Sequence, residues 1–142
     1  VRALVAMVAM GALAVQAEEF RSIRTPGAVA YDAPSDKARR IFVYQTTYPV
    51  ELVVSIEGWR KVRDAEGALT WAQEERLSAE RYAIVLTAKA VARASADDAA
   101  VVVFEAQKGV SLKVVETTPG WNKAQYADGS VGFLRSSQVW GR

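Results

Sequence analysis

A fourteen-residue segment of this chain occurs twice, and that recurrence restricts the fold more than any other feature. Gly58-Trp59-Arg60-Lys61-Val62-Arg63-Asp64-Ala65-Glu66-Gly67-Ala68-Leu69-Thr70-Trp71 returns 62 positions later as Gly120-Trp121-Asn122-Lys123-Ala124-Gln125-Tyr126-Ala127-Asp128-Gly129-Ser130-Val131-Gly132-Phe133. Each copy holds a Gly-Trp-x-Lys strand, a turn closed by Gly67 or Gly129, and a second aromatic four residues later, which together spell two strands joined by a tight turn. A period of about 60 residues divides the chain into two units, each near the lower limit for folding alone, so two small cores leaning on each other are expected.

Strand periodicity runs through the rest of both units. In Val50 to Glu57 the apolar residues Val50, Leu52, Val54 and Ile56 alternate with Glu51, Ser55 and Glu57, the pattern of a half-buried antiparallel strand. Val110, Leu112 and Val114 repeat it at an offset of 60 from Val50 and Leu52, which implies a two-residue insertion at Thr117-Thr118-Pro119 before the offset of 62 is reached. Ala30 to Ser35 aligns with Ala90 to Ser95 in the same way, each a strand entering a loop. The Ala-rich stretch 79–100 could be read as a helix, but its counterpart holds Pro26, Gly27 and Pro34. Strands over Ile84 to Leu86 and Ala90 to Arg93 are therefore expected. Short helical turns fit Glu74 to Leu77 and Ser136 to Val139. Trp71 and Phe133 are expected to cap the cores, and Gly67 and Gly129 to occupy turn positions of positive φ.

The N-terminus reads as a signal peptide over residues 1–17. Arg2 precedes an apolar run from Ala3 to Val15, too short for the roughly 20 residues of a spanning helix, and Val15-Gln16-Ala17 suits signal peptidase. Cleavage after Ala17 would leave a periplasmic or secreted protein without an integral membrane span; an uncleaved anchor is the alternative. The absence of Cys excludes disulfides and a lipoprotein anchor. A net charge of +2 from well-mixed residues, with no basic run longer than Arg39-Arg40, argues against nucleic acid as a partner.

Chemistry is constrained by inventory. With no His and no Cys, the Cys/His nucleophiles, the Ser-His-Asp triads and the commonest metal ligands are all missing. The adjacent carboxylates Glu74/Glu75 and Asp97/Asp98 lie in polar turns and read as solvated. No glycine-rich phosphate loop is present. No cofactor, metal or catalytic residue is expected.

Tyr31-Asp32-Ala33-Pro34-Ser35, Gly58 to Asp64, Gly120 to Lys123 and Asp128 to Leu134 resemble the diagnostic pieces of bacterial SH3-like (SH3b) domains, and the resemblance covers nearly all of residues 23–141. It implies an all-β fold of two tandem small SH3-like β-barrels, residues 23–78 and 82–141, each a partly open barrel of five to six strands. In that family the domains are binding or targeting modules, often associated with the cell wall, without catalytic residues.

Strand parity sharpens the binding question. If Val62 points into the barrel, Trp59 lies on the opposite face, and Trp121 is likewise opposite Ala124. An outward Trp on this strand is similar to the peptide-binding Trp of eukaryotic SH3 domains. The groove Pro and Tyr of those domains are replaced by Gln73 and Arg76 in repeat one and by Arg135 and Gln138 in repeat two, so a ligand other than polyproline is expected. Candidate ligand-binding residues are Trp59, Trp121, Tyr31, Tyr48, Tyr126, Arg60 and Arg63, with packing inside or between the repeats as the competing use of the aromatics. Because Arg60 and Arg63 become Asn122 and Gln125, repeat one presents the more basic rim and is expected to prefer an acidic or carboxylate-bearing ligand. The functional expectation is a non-catalytic binding or scaffolding module of the bacterial cell envelope, with peptidoglycan peptide or an envelope protein as partner. The alternative is a structural or regulatory interaction subunit whose aromatics pack at an interface.

Overall fold

The computed structural model describes residues 18–142, so the expected signal peptide lies outside the described residues. Repeat one contains β1 (Phe20–Ile23), β2 (Ala28–Tyr31), β3 (Arg40–Tyr44), β4 (Pro49–Ile56), β5 (Trp59–Arg63), β6 (Leu69–Gln73) and the two-residue β7 (Leu77–Ser78). Repeat two contains β8 (Tyr82–Val85), β9 (Lys89–Arg93), β10 (Val102–Gln107), β11 (Ser111–Thr118), β12 (Trp121–Gln125), β13 (Val131–Arg135) and β14 (Val139–Trp140). Each repeat forms one seven-stranded antiparallel sheet, ordered β3-β2-β6-β5-β4-β1-β7 and β10-β9-β13-β12-β11-β8-β14. The fold is all-β, as expected, with the Ala-rich stretch extended as β8 and β9 and with 3-10 turns at Glu74–Arg76 and Ser136–Gln138.

The two sheets match at a constant offset of 62. Tyr31 is opposite Trp71 as Arg93 is opposite Phe133, and Phe20 is opposite Glu51 as Tyr82 is opposite Lys113. Val50 therefore corresponds to Leu112, both fully buried, and the expected insertion at Thr117-Thr118-Pro119 does not exist. Ala30 likewise corresponds to Ala92. The cause of the error is that strand patterning has a period of two, so a shift of two residues leaves every side chain on the same face. Backbone register alone separates the offsets of 60 and 62.

The cores use the same positions with exchanged volumes. Ile23, Val62 and Leu77 in repeat one become Val85, Ala124 and Val139 in repeat two. The large Tyr44 becomes Ala106, while Ala72 becomes Leu134, so bulk moves to the other side of the barrel.

A bulge corrects the expected face of β4. Leu52 is opposite Val62, but the next pair is Val54 opposite Lys61, leaving Val53 unmatched. The extra residue reverses side-chain parity, so Val54 and Ile56 point outward and are 42% and 46% exposed. An equivalent bulge lies between Val114 and Glu116. In β6 the inward residues are Thr70 and Ala72, so Trp71, and by the same register Phe133, are not core caps: they belong to the outer face. Gly67 and Gly129 have φ of +88° and +91°, as the turns between β5 and β6 and between β12 and β13 demand.

The repeats touch. Ser111 donates to the Thr47 carbonyl at 2.9 Å and the Trp140 ring meets Phe20 edge-on at 5.2 Å, while the Ser22 hydroxyl donates at 2.7 Å to the Glu80 carbonyl of the connecting segment.

Candidate ligand-binding face

The register places two rows of side chains on the outer face of repeat one. Val54, Lys61, Trp71 and Tyr31 lie side by side across β4, β5, β6 and β2, and Ile56, Trp59 and Gln73 form the adjacent row. Tyr31 and Trp59 meet edge-to-face with ring centroids 5.2 Å apart. Tyr31 is only 5% exposed and braces Trp59, which is half-buried. Gly58, Trp59, Gln73, Glu74 and Glu75 line a shallow pocket beside it. This face can stack on a flat or apolar group and offers carboxylates at its end.

Repeat two carries the same rows with different chemistry. They read Glu116, Lys123, Phe133, Arg93 and then Thr118, Trp121, Arg135. The Arg135 guanidinium lies over the Trp121 ring at 4.4 Å, and the Lys123 ammonium lies 5.6 Å from the Phe133 ring centre. Asp98 holds Arg135 through a two-point contact whose Nε–Oδ1 arm is 3.1 Å. That hydrogen bond keeps the Asp98 carboxyl below the usual carboxylate range and raises Arg135 in turn. Trp121 is 8% exposed. It sits on the face opposite Ala124, as parity requires, but its own domain covers it. The outward platform is open in repeat one and occupied in repeat two.

The remaining candidates do not join Trp59. Alternation along β5 puts Arg60 on the Val62 side of the strand, where it pairs with Glu74 at 2.7 Å, while Arg63 pairs with Glu51 at 2.9 Å. The expected basic rim around Trp59 is thus absent: one arginine is on the wrong face and both are matched by carboxylates. Tyr48 stacks on Tyr44 at 5.3 Å, and its hydroxyl accepts from the Ala65 amide at 3.1 Å. Burial raises the Tyr48 phenol above its ordinary value. Tyr126 packs on the core of repeat two beside Phe104. Sequence reading missed Trp71, Val54 and Ile56 as members of the platform. Trp71 depends on the register of β6 against β2, and Val54 and Ile56 on the bulge in β4; periodicity carries neither.

The profile of the bacterial SH3 domain family matches residues 24–79 and again residues 87–141. The chain belongs to the bacterial SH3 domain family. SH3 domains of this kind are generally binding modules, typically of extracellular or cell-envelope proteins. No curated protein matches the chain. Similar solved structures include NlpC2 and NlpC1 from Trichomonas vaginalis, both 16% identical, covering 90% and 91% of this chain and 49% and 48% of theirs, with TM-scores of 0.42 and 0.41. An NlpC/P60 family protein from Bacillus cereus is 14% identical over 86% of this chain and 56% of its own, with a TM-score of 0.39. The SH3 pair thus spans about half the length of these proteins. Among the described residues no helix is long and apolar enough to cross a membrane, and no group of three or more acidic side chains could hold a metal ion.

Proposed function

We propose that this pair of SH3 domains is a non-catalytic binding module of the bacterial cell envelope, and that its first domain takes a peptide of the cell wall or of an envelope protein on the Trp59 face. The observation that carries the reading is the contrast between the two copies. Where Arg135 covers Trp121, the first domain has Gln73, and where Arg93 stands beside Phe133 it has Tyr31. Glu75, exposed at the end of the pocket, favours a ligand with amine-bearing groups over the acidic one suggested by composition. Retention on purified sacculi tests this. Trp59→Ala is expected to reduce the bound fraction about tenfold or more, as for a central aromatic anchor, while Trp121→Ala, checked for folding by its melting curve, binds as wild type. Equal retention of wild type and Trp59→Ala would overturn the proposal, and no retention of either would overturn the cell-wall peptide as its ligand.

A second reading is favoured by Val54 and Ile56, which extend the platform with exposed apolar surface of the kind used against a folded partner. Acrylamide quenching of Trp fluorescence separates the two. Protection by a soluble peptide, of the cell wall or of an envelope protein, supports the first reading, and protection only by a folded envelope protein supports the second.

A further inference from the structure

The junction of the two domains holds a cleft of about 380 Å3 that neither reading uses. Its floor is a row of outward side chains on three neighbouring strands: Tyr82 on β8, Lys113 on β11 and Gln125 on β12, paired directly across the sheet. Thr47 of the first domain lines it too, with Ser111, Tyr126, Ala127 and Gly129 of the second.

Comparison with the first domain shows what is unusual here. The equivalent row is Phe20, Glu51 and Arg63, in which Glu51 and Arg63 neutralise each other at 2.9 Å. In the second domain Glu51 has become Lys113 and Arg63 has become Gln125. The position that held an internal ion pair now holds an ammonium between two neutral neighbours, and Lys113 makes no ion pair among the described residues. The Gln125 amide nitrogen has only a weak contact, 3.5 Å from the Gly129 carbonyl, and can turn to a ligand.

The roof is built with equal specificity. Thr47 adopts φ +69°, a left-handed conformation unusual for a β-branched residue, at the position where the second domain has Gly109 at +88°. Its carbonyl is held by the Ser111 hydroxyl from the cleft floor. An interdomain hydrogen bond therefore fixes the strained residue at the wall of the cleft that Lys113 also lines.

We propose that this interdomain cleft is a carboxylate-binding site, in which the Lys113 ammonium pairs with the terminal carboxylate of a short peptide and the Gln125 amide donates the second hydrogen bond. Tyr82 and Tyr126 flank the residue that bears the carboxylate. A single ammonium in a partly open cleft supports millimolar affinity that weakens with salt.

The test is an NMR titration of the full chain with N-acetyl-dialanine, which has a free carboxylate, and with its C-terminal amide. Saturable shifts of the Gln125 side-chain amide and the Tyr82 ring are expected with the acid alone. Lys113→Gln should weaken the response about tenfold, the effect of one charge-assisted hydrogen bond, whereas Trp59→Ala should leave it unchanged. Equal shifts from acid and amide, no saturable shift, or wild-type affinity in Lys113→Gln would overturn the proposal. Because Trp59 is no part of this site, either outcome is independent of the sacculus experiment.

Discussion

Tyr44 shows how much one side chain can do inside a barrel this small. Its ring fills the first core and stacks on Tyr48, while its hydroxyl lies 2.9 Å from the Thr70 hydroxyl and 3.5 Å from the Asp64 carboxylate. Asp64 in turn accepts from the Glu66 and Ala68 amides at 2.9 and 3.0 Å, so the hydroxyl ties the core to the β5–β6 turn. Burial, helped by the nearby Asp64 charge, raises the Tyr44 phenol far above its ordinary value, although the Thr70 hydrogen bond works the other way. The sign for stability follows from which state keeps the proton. Above pH of about 10 the unfolded chain ionises this tyrosine while the folded chain resists, so the contribution is complete below that pH and is lost as pH rises toward the folded value. Melting curves from about pH 8 to about pH 11 should show wild type losing stability more steeply than Tyr44→Phe. Parallel slopes would refute the assignment. At neutral pH the same variant should cost about 1 kcal/mol, because Thr70 loses its partner. The core roles of Tyr44 and Tyr48 were not legible in the sequence: neither sits in a motif, and only the assembled barrel commits them to the core.

At the scale of elements, two features that hydrophobic patterning does not report decide the candidate site. The bulge at Val53 sends Val54 and Ile56 outward, and the pairing of β6 with β2 brings Trp71 beside Tyr31. Trp59 and Tyr31 were legible as candidates because they sit in recognisable motifs; the place of Trp71 beside Tyr31 was not, because that neighbour comes from a strand 40 residues earlier. Close packing of elements also differs between the copies. Gly132 on β13 has no room for a side chain, since a Cβ there would fall 2.8 Å from the Ala92 Cβ and 3.2 Å from the Arg93 carbonyl oxygen. The equivalent residue in the first domain is Thr70, so the tight approach of β9 to β13 belongs to the second barrel alone. Gly132→Ala should push these strands apart and cost about 1–3 kcal/mol, read as a lower urea midpoint. A midpoint equal to wild type would mean that the sheet yields freely at this seam.

For the whole molecule the question is whether two domains of this size act as one. Trp140, from the last strand of the second domain, packs edge-on against Phe20 in the first strand of the first, and the Arg81 guanidinium lies over the Phe20 ring, 5.5 Å from its centre. Ser111 donates across the junction, and Ser22 donates to the connecting segment at Glu80. These contacts are expected to make thermal unfolding a single transition. Trp140→Ala should separate it into two, with the calorimetric enthalpy exceeding the van't Hoff value. A single transition in the variant would show that Trp140 does not couple the domains. Sequence by itself determined the duplication, the all-β class, the turn glycines and the outward parity of Trp59, because these rest on local alternation and on the conformational needs of short turns. It could not distinguish an offset of 60 from one of 62, since both preserve parity. Tertiary structure alone decided that one platform is open while Arg135 closes the other, that Arg60 and Arg63 are spent on internal carboxylates, and that Lys113 is left facing a cleft. Each of these depends on which charges meet across strands distant in the chain, a matter of register and docking that no local pattern encodes.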